Sequence, residues 1–297
     1  MIAWTVDAIL RIERKLQMTQ RRPNAARLRR GFTDRYGEWA LVAGASEGLG
    51  AAYARALAER GMNLVLAARR RPLLNEIADD LRGTFGVEVL CCDGDLALPG
   101  FLETLQAACA SLEVGLVVYN ATHAPVGEFA STPVEDLMRV VDVNVRAPVA
   151  LLRAFLPPMT ERRRGAVVLM TSLAGNQGAP RLAAYAASKA FARVLAESVW
   201  HELESTGIDV VVCCAGAVRT PGYAIAAGKD ALGTLDPEEV VEQALRALGR
   251  GPVVVPGFVN RAANVLMSRL VPRRAAIAIM AGSTSSLASA KETKGGS

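Results

Sequence analysis

The chain has 297 residues, 51% hydrophobic and only 5% aromatic, with mean hydropathy +0.23, which fits one large domain cored by small and aliphatic side chains. The net charge of +5 is local: nine of the 34 basic and four of the 29 acidic residues fall in positions 1–38, leaving 25 of each sign elsewhere. The neutral body argues against nucleic-acid binding by the main domain, no apolar run reaches the roughly 18 residues of a membrane span, and five cysteines without C-x-x-C spacing give no zinc or redox motif.

Positions 1–35 read as a basic N-terminal extension. Ile2, Val6, Ile9 and Leu16 can share one face of a short helix, with Arg11, Arg14 and Lys15 elsewhere. A solvated tail is the preferred reading, and peripheral contact with an anionic membrane is the alternative. The opening apolar stretch contains Asp7 and follows no basic region, so a signal peptide is not expected. Of the cysteines, Cys109 stands alone, and the adjacent pairs Cys91-Cys92 and Cys213-Cys214 read as buried thiols in strands, a usage consistent with a reducing cytoplasm.

The first predicted strand, 40–43, runs straight into Ala43-Gly44-Ala45-Ser46-Glu47-Gly48-Leu49-Gly50, where a helix over 48–60 begins. Glycines there permit a tight turn and close approach of backbone to a pyrophosphate. The helix N-terminus adds free N–H groups and the positive end of a dipole. The second strand, 63–67, ends in Ala68-Arg69-Arg70-Arg71. An acid at this place suits a ribose 2′-hydroxyl, whereas an arginine suits a 2′-phosphate. Arg69, assisted by Ser46 or Arg70, therefore points to NADP(H).

Alternation continues with helix 73–84, strand 87–92, helix 101–112, strand 116–120, helix 134–155, strand 166–171, helix 183–205, strand 209–214, helix 237–248 and strand 253–255. Repeated β-α-β order with uninterrupted apolar strands predicts an α/β fold, a Rossmann-type doubly wound parallel sheet of about seven strands with helices on both faces. The domain is placed at 36–282. It includes a helical stretch, 258–280, that covers the substrate side or a partner subunit. Positions 283–297, small and polar, are expected to be disordered.

The motifs occur in a fixed order. After the glycine turn come Asp95-Leu96, Asn120-Ala121, Asn144, Ser172, Tyr185-x-x-x-Lys189 and Gly216-Ala217-Val218-Arg219-Thr220. In this order and spacing the chain, from about Trp39 to Val255, resembles the classical short-chain dehydrogenases/reductases, and more weakly their bacterial ketoacyl and hydroxysteroid reductases. The resemblance implies that Asp95, with Leu96, holds the adenine and that Asn120 and Ala121 line the cofactor cleft. Val218 and Thr220 would contact the carboxamide, and Tyr185 and Lys189 would border the cofactor as well as act chemically. Three positions depart from the family pattern. Ala43 stands for a common threonine, Thr122 for a common glycine, and Ala215 for a proline. Ala43 loses a hydroxyl, but none of the three removes a catalytic group.

Ketone–alcohol interconversion needs a hydride carrier, a proton donor or acceptor at the oxygen, and a polarising hydrogen bond. Tyr185 and Lys189, four apart on a helix, share a face. A nearby ammonium is expected to lower the phenol's pKa, so that Tyr185 serves as general acid/base. Ser172 can bond the same oxygen. Asn144 is awkward inside a helix, and the resemblance makes it the anchor of a water relay to Lys189. The segment 221–235, rich in Ala and Gly, reads as a lid over a hydrophobic substrate. The expected protein is an NADP(H)-dependent oxidoreductase acting on a small-molecule ketone or secondary alcohol, without a metal. Through its long helices it would pair as a homodimer or homotetramer. A catalytically silent NADP(H)-binding regulator or scaffold on the same fold is the competing reading.

Overall fold

The computed structural model describes residues 25–223 and 230–292. In chain order the elements are α1 (Ala25–Tyr36), β1 (Trp39–Ala43), α2 (Gly48–Glu59), β2 (Asn63–Ala68), α3 (Arg71–Phe85), β3 (Val89–Asp93) and α4 (Pro99–Ala108). They continue with β4 (Val114–Tyr119), α5 (Val134–Val141), α6 (Ala147–Arg162), β5 (Gly165–Ser172), α7 (Ala183–Glu202) and β6 (Ile208–Ala215). The chain ends through α8 (Pro237–Ala247), β7 (Val253–Val254), α9 (Phe258–Val265) and α10 (Arg273–Glu292).

All seven strands join one parallel sheet in the order β3-β2-β1-β4-β5-β6-β7. Successive side chains of a strand point to opposite faces, and both faces are dry. On one, Val42, Leu64, Leu66, Leu116, Val118 and Val168 pack under α2, α3 and α8. On the other, Leu41, Val65, Val117, Val167, Leu169 and Val210 pack under α4, α6 and α7. That two-sided burial is why the strands read as continuous apolar runs. The order reverses between β1 and β4, and their C-terminal ends open the crevice where such sheets bind ligands.

The helix read as continuous over 134–155 is interrupted. A π-turn, Asp142–Arg146, separates α5 from α6 and carries Asn144; such turns recur at functional sites. The stretch 258–280 also divides. A second π-turn, Leu266–Leu270, ends at Val271-Pro272, and α10 starts anew. Proline lacks the N–H that a continuing helix requires.

Two predicted boundaries move. The reading of 1–35 as an appendage cuts through α1, whose Phe32 packs on the core and whose Tyr36 hydroxyl donates to Asp209 at 2.7 Å. The amphipathic pattern of Ile2 to Leu16 lies outside the described residues. At the other end, the disorder expected from 283 is corrected, because α10 continues to Glu292. Ser283 and Thr284 donate to the carbonyls of Ile279 and Met280 one turn back, which satisfies their hydroxyls within the helix. Positions 293–297 lie outside the described residues. All five cysteines are free.

Candidate active site

Two adjoining hollows, of about 180 and 330 Å³, lie over the C-terminal ends of β1, β4, β5 and β6. They share Glu47, Asn120 and Thr122 and so form one cleft.

The first hollow begins at the glycine turn. Gly44 has φ +87°, and a Cβ there would lie 2.6 Å from the Ala121 nitrogen. Gly50 lines neither hollow. A Cβ on it would collide with the Gly44 carbonyl oxygen, so its role is to let α2 close on the turn. The end of β4 is fastened to the turn through the Asn120 and Ala121 amides, both donating to the Ala43 carbonyl at 2.9 Å, and through Asn120 Nδ2, which donates to the Gly44 carbonyl at 3.0 Å. These bonds need only the backbone of residue 43, so Ala43 does not disturb them.

Arg69 and Arg70 are exposed at the rim after β2. Arg70 donates to Ser46 Oγ at 2.8 Å and pairs with Glu47 at 3.0 Å. Arg70, tied to Ser46 and Glu47, and Arg69 thus stand on one rim of the hollow beside the glycine turn. Asp95 and Leu96 line the same hollow. Asp95 accepts from the Ala97 amide at 3.0 Å and from Arg139 at 2.6 Å. Partial burial works to raise its pKa, but these donors prevail and hold the carboxyl below its usual range.

The second hollow holds the chemical groups. Gly48, Leu49, Ser172, Tyr185, Lys189, Val218 and Thr220 line it, with Tyr223 at its edge. Ser172 is the last residue of β5, where its Oγ caps the following turn by accepting from the Ala174 amide at 3.2 Å. Burial raises the Tyr185 phenol above its ordinary value, and a hydrogen bond with Ser172 opposes this. The expected lowering by Lys189 is not what this arrangement gives. The Lys189 ammonium lies 5.5 Å from the Tyr185 ring centre and donates to the Met170 carbonyl at 3.1 Å. Burial depresses its own pKa to about 8.

Asn144 lines neither hollow. Its Oδ1 accepts from the His123 amide at 2.8 Å, while Nδ2 donates to the His123 carbonyl at 2.9 Å and to Ser188 Oγ at 3.0 Å. Ser188 in turn donates to the Tyr185 carbonyl at 2.7 Å. The side chain therefore ties the loop after β4 to the helix turn that carries Tyr185 and Lys189.

Several contributors escaped the sequence reading. Thr171 donates to the Lys189 carbonyl at 2.7 Å, fixing α7 against β5. A Cβ on Gly175 would lie 2.8 Å from the Ala190 nitrogen, so glycine there lets the turn after Ser172 abut α7. Asn260, buried on α9, donates to the carbonyls of Gly233 and Pro256 at 3.0 and 3.1 Å and abuts Gly216. It braces the turn where Ala215 replaces the family's proline. Nothing in the spacing of Arg139 or Asn260 marks them in the sequence, whereas Ser188, three residues after Tyr185, could have been picked out by helical geometry.

The apolar wall beside Tyr185 comes from Ala179, Leu182 and Ala186, with Val126 and with Met280 of α10. Met280, at the end of the predicted stretch 258–280, packs on this wall. The predicted lid, 221–235, is described except at 224–229. In the described part Tyr223 accepts from the Ala231 amide at 3.2 Å.

The family profile described as short chain dehydrogenase matches residues 38–227. A 7β-hydroxysteroid dehydrogenase of Collinsella aerofaciens is 34% identical over 234 residues, covering 77% of this chain and 89% of its own. A solved structure from work on 7β-hydroxysteroid dehydrogenase stereoselectivity superposes with a TM-score of 0.80 at 32% identity, covering 84% of this chain and 98% of the other. A short-chain dehydrogenase from Sphingobium yanoikuyae in complex with NADPH gives a TM-score of 0.68 at 30% identity, with 78% and 96% covered.

Proposed function

From the premise that this chain belongs to the short-chain dehydrogenase family and is an oxidoreductase of that family, we propose that it is an NADP(H)-dependent reductase of bulky apolar ketones, with Tyr185 as proton donor. The observation that carries the reading is the meeting of Ser172, Tyr185 and Lys189 in one hollow that adjoins the glycine turn.

The cleft fits the cofactor. Gly44 and the start of α2 leave room for a pyrophosphate, which would meet the free N–H groups of the helix. Ser46, Arg69 and Arg70 would hold the 2′-phosphate, and Asn120, Ala121, Val218 and Thr220 would line the path to the nicotinamide. When bound, NADP(H) supplies or accepts the hydride. Tyr185, kept protonated by burial, gives its proton to the carbonyl oxygen as negative charge develops there. Ser172 hydrogen-bonds that same oxygen. Lys189 holds a positive charge 5.5 Å from the phenol ring centre, where it would offset part of the negative charge left after transfer without outweighing the burial that keeps the phenol protonated. Asn144 acts as a positioning residue through His123 and Ser188. The apolar cluster of Leu182, Val126 and Met280 packed against Tyr185 suits a hydrophobic substrate, either a rigid sterol or a flexible long acyl chain.

The reading is tested by following NADPH absorbance with keto-steroids and 3-oxoacyl thioesters. Saturable turnover with either class supports it. Tight NADPH binding without turnover on any ketone or alcohol would instead favour the silent regulator.

Arg69→Asp should raise the KM for NADPH by about 10- to 100-fold, as expected for losing a charge-assisted contact and gaining repulsion. It should leave the KM for NADH nearly unchanged. Equal losses with both cofactors would remove Arg69 from the 2′-phosphate.

Assembly is proposed through α5 to α7. Val134, Met138, Val141, Val149, Phe191 and Val194 are exposed along these helices, a stripe suited to a two-fold partner. Val194→Asp should shift the chain toward monomer in analytical ultracentrifugation. An unchanged mass would put the contact elsewhere.

A further inference from the structure

The C-terminal cap carries a surface that the reaction does not use. From position 243 to 291 the sequence has seven basic residues and no Asp or Glu. Within this run, α9 and the π-turn after it expose apolar side chains in a cluster: Val265 is 51% exposed, Leu266 50% and Leu270 72%. Four-residue spacing sets Val265 and Arg269 in line with Arg261, and Leu266 and Leu270 in the neighbouring row. Arg274 follows at the start of α10. Arg261 bonds only neutral oxygens, those of Gln243 and Val255, and Arg273 donates to the Asn176 carbonyl. Among the described residues, none of Arg261, Arg269, Arg273 and Arg274 meets a carboxylate. The guanidinium charge of this face is uncompensated.

We propose that this face, centred on Val265, Leu266 and Leu270 and rimmed by Arg261, Arg269 and Arg274, docks the protein on an anionic lipid surface. Exposed leucine and valine lose water contact when they enter the headgroup–acyl boundary, and the arginines pair with lipid phosphates. A second copy of the chain is a poor occupant. A two-fold contact brings the same patch from both subunits together, so it would oppose arginines to arginines with no acid to separate them. The apolar stripe on α5 to α7 serves that purpose better. The face lies on the surface of a bilayer and does not cross it, because no described helix is long and apolar enough to span one. The same cap supplies Met280 to the wall beside Tyr185, so docking would bring the cleft near the lipid in which an apolar ketone dissolves. The proposal stands on the surface alone and does not depend on the reading of the reaction.

The test is sedimentation of the full chain with vesicles of phosphatidylcholine and phosphatidylglycerol, against vesicles of phosphatidylcholine alone. The expected result is partition at least tenfold stronger to the anionic vesicles, weakening steeply with added salt. Leu266→Glu with Leu270→Glu should cut that partition more than tenfold, and Arg269→Glu with Arg274→Glu should remove its salt dependence. Circular dichroism and NADPH affinity should be unchanged in both variants, showing that they fold. Absence of vesicle binding by the parent chain would overturn the proposal. So would full binding by both variants, which would place the contact elsewhere in the chain. A fall in molecular mass caused by the leucine variants, without loss of vesicle binding, would assign the face to a second subunit and also overturn it.

Discussion

Tyr185→Phe is expected to lower turnover of ketone by at least about 100-fold, the lower end of what a positioned general acid contributes, while NADPH affinity stays within a few-fold. The substitution removes one oxygen and leaves the ring packed against Leu182, Ala186 and Met280. The fold should hardly register it, since a hydrogen bond of this kind is worth about 1 kcal/mol. The loss should therefore appear in kcat, with binding of cofactor by fluorescence titration nearly intact. The comparison with Ser172→Ala is informative, because that change removes both a bond to the substrate oxygen and the cap on the Ala174 amide. Its loss of stability should therefore exceed that of Tyr185→Phe, which gives up a single bond. A Tyr185→Phe enzyme with parental turnover would show that the proton comes from elsewhere.

How far the sequence disclosed this site depends on what kind of information each residue carries. The strands were legible because burial on both sheet faces leaves no polar alternation to confuse with a helix, as in the runs ending at Ala43 and Ala215. The glycine turn and the Tyr185–Lys189 pair were legible because their meaning is local: a bend before a helix, and two side chains one turn apart. Asn144 was noticed as out of place, and the π-turn explains why a helix tolerates it there. Its partners His123 and Ser188 were not foreseen, since they lie 21 and 44 residues away and obey no period. Asn260 and Arg139 were invisible for the same reason. The helical end of α10 was misjudged from composition alone. Composition does not report local hydrogen bonds, and Ser283 and Thr284 find acceptors for their hydroxyls one turn back. The expected effect of Lys189 on Tyr185 failed differently. Spacing gives proximity, but burial, which spacing does not report, governs both groups.

That burial has a second consequence, and Lys189→Met should expose it: a more stable protein with little or no turnover. Lys189 is 6% exposed, its ammonium donates to the Met170 carbonyl beside the Tyr185 ring, and its pKa falls from 10.5 to about 8 through desolvation. A group that loses its proton more readily when folded opposes folding while it is charged. Below about pH 8 both folded and unfolded chains hold the proton, and the full cost is present. Between about 8 and 10.5 the unfolded chain keeps the proton and the folded chain releases it, so stability rises with pH. Above 10.5 both are neutral and the cost is gone. The shift corresponds to about 3 kcal/mol at neutral pH, taken as an upper figure. Methionine is similar in length and carries no charge to desolvate. Even with the hydrogen bond to Met170 lost, Lys189→Met should gain about 1–2 kcal/mol at pH 7, or a few degrees in Tm. Urea titrations of the two proteins at several pH values isolate this residue from every other titrating group. The advantage of the variant should be largest below pH 8 and should shrink steadily toward pH 10.5. A variant less stable than its parent at pH 7, or an advantage that does not change with pH, would show that the ammonium is not held at a cost. Loss of turnover together with gained stability would mean that the fold retains a buried cation beside the phenol because the chemistry needs it there.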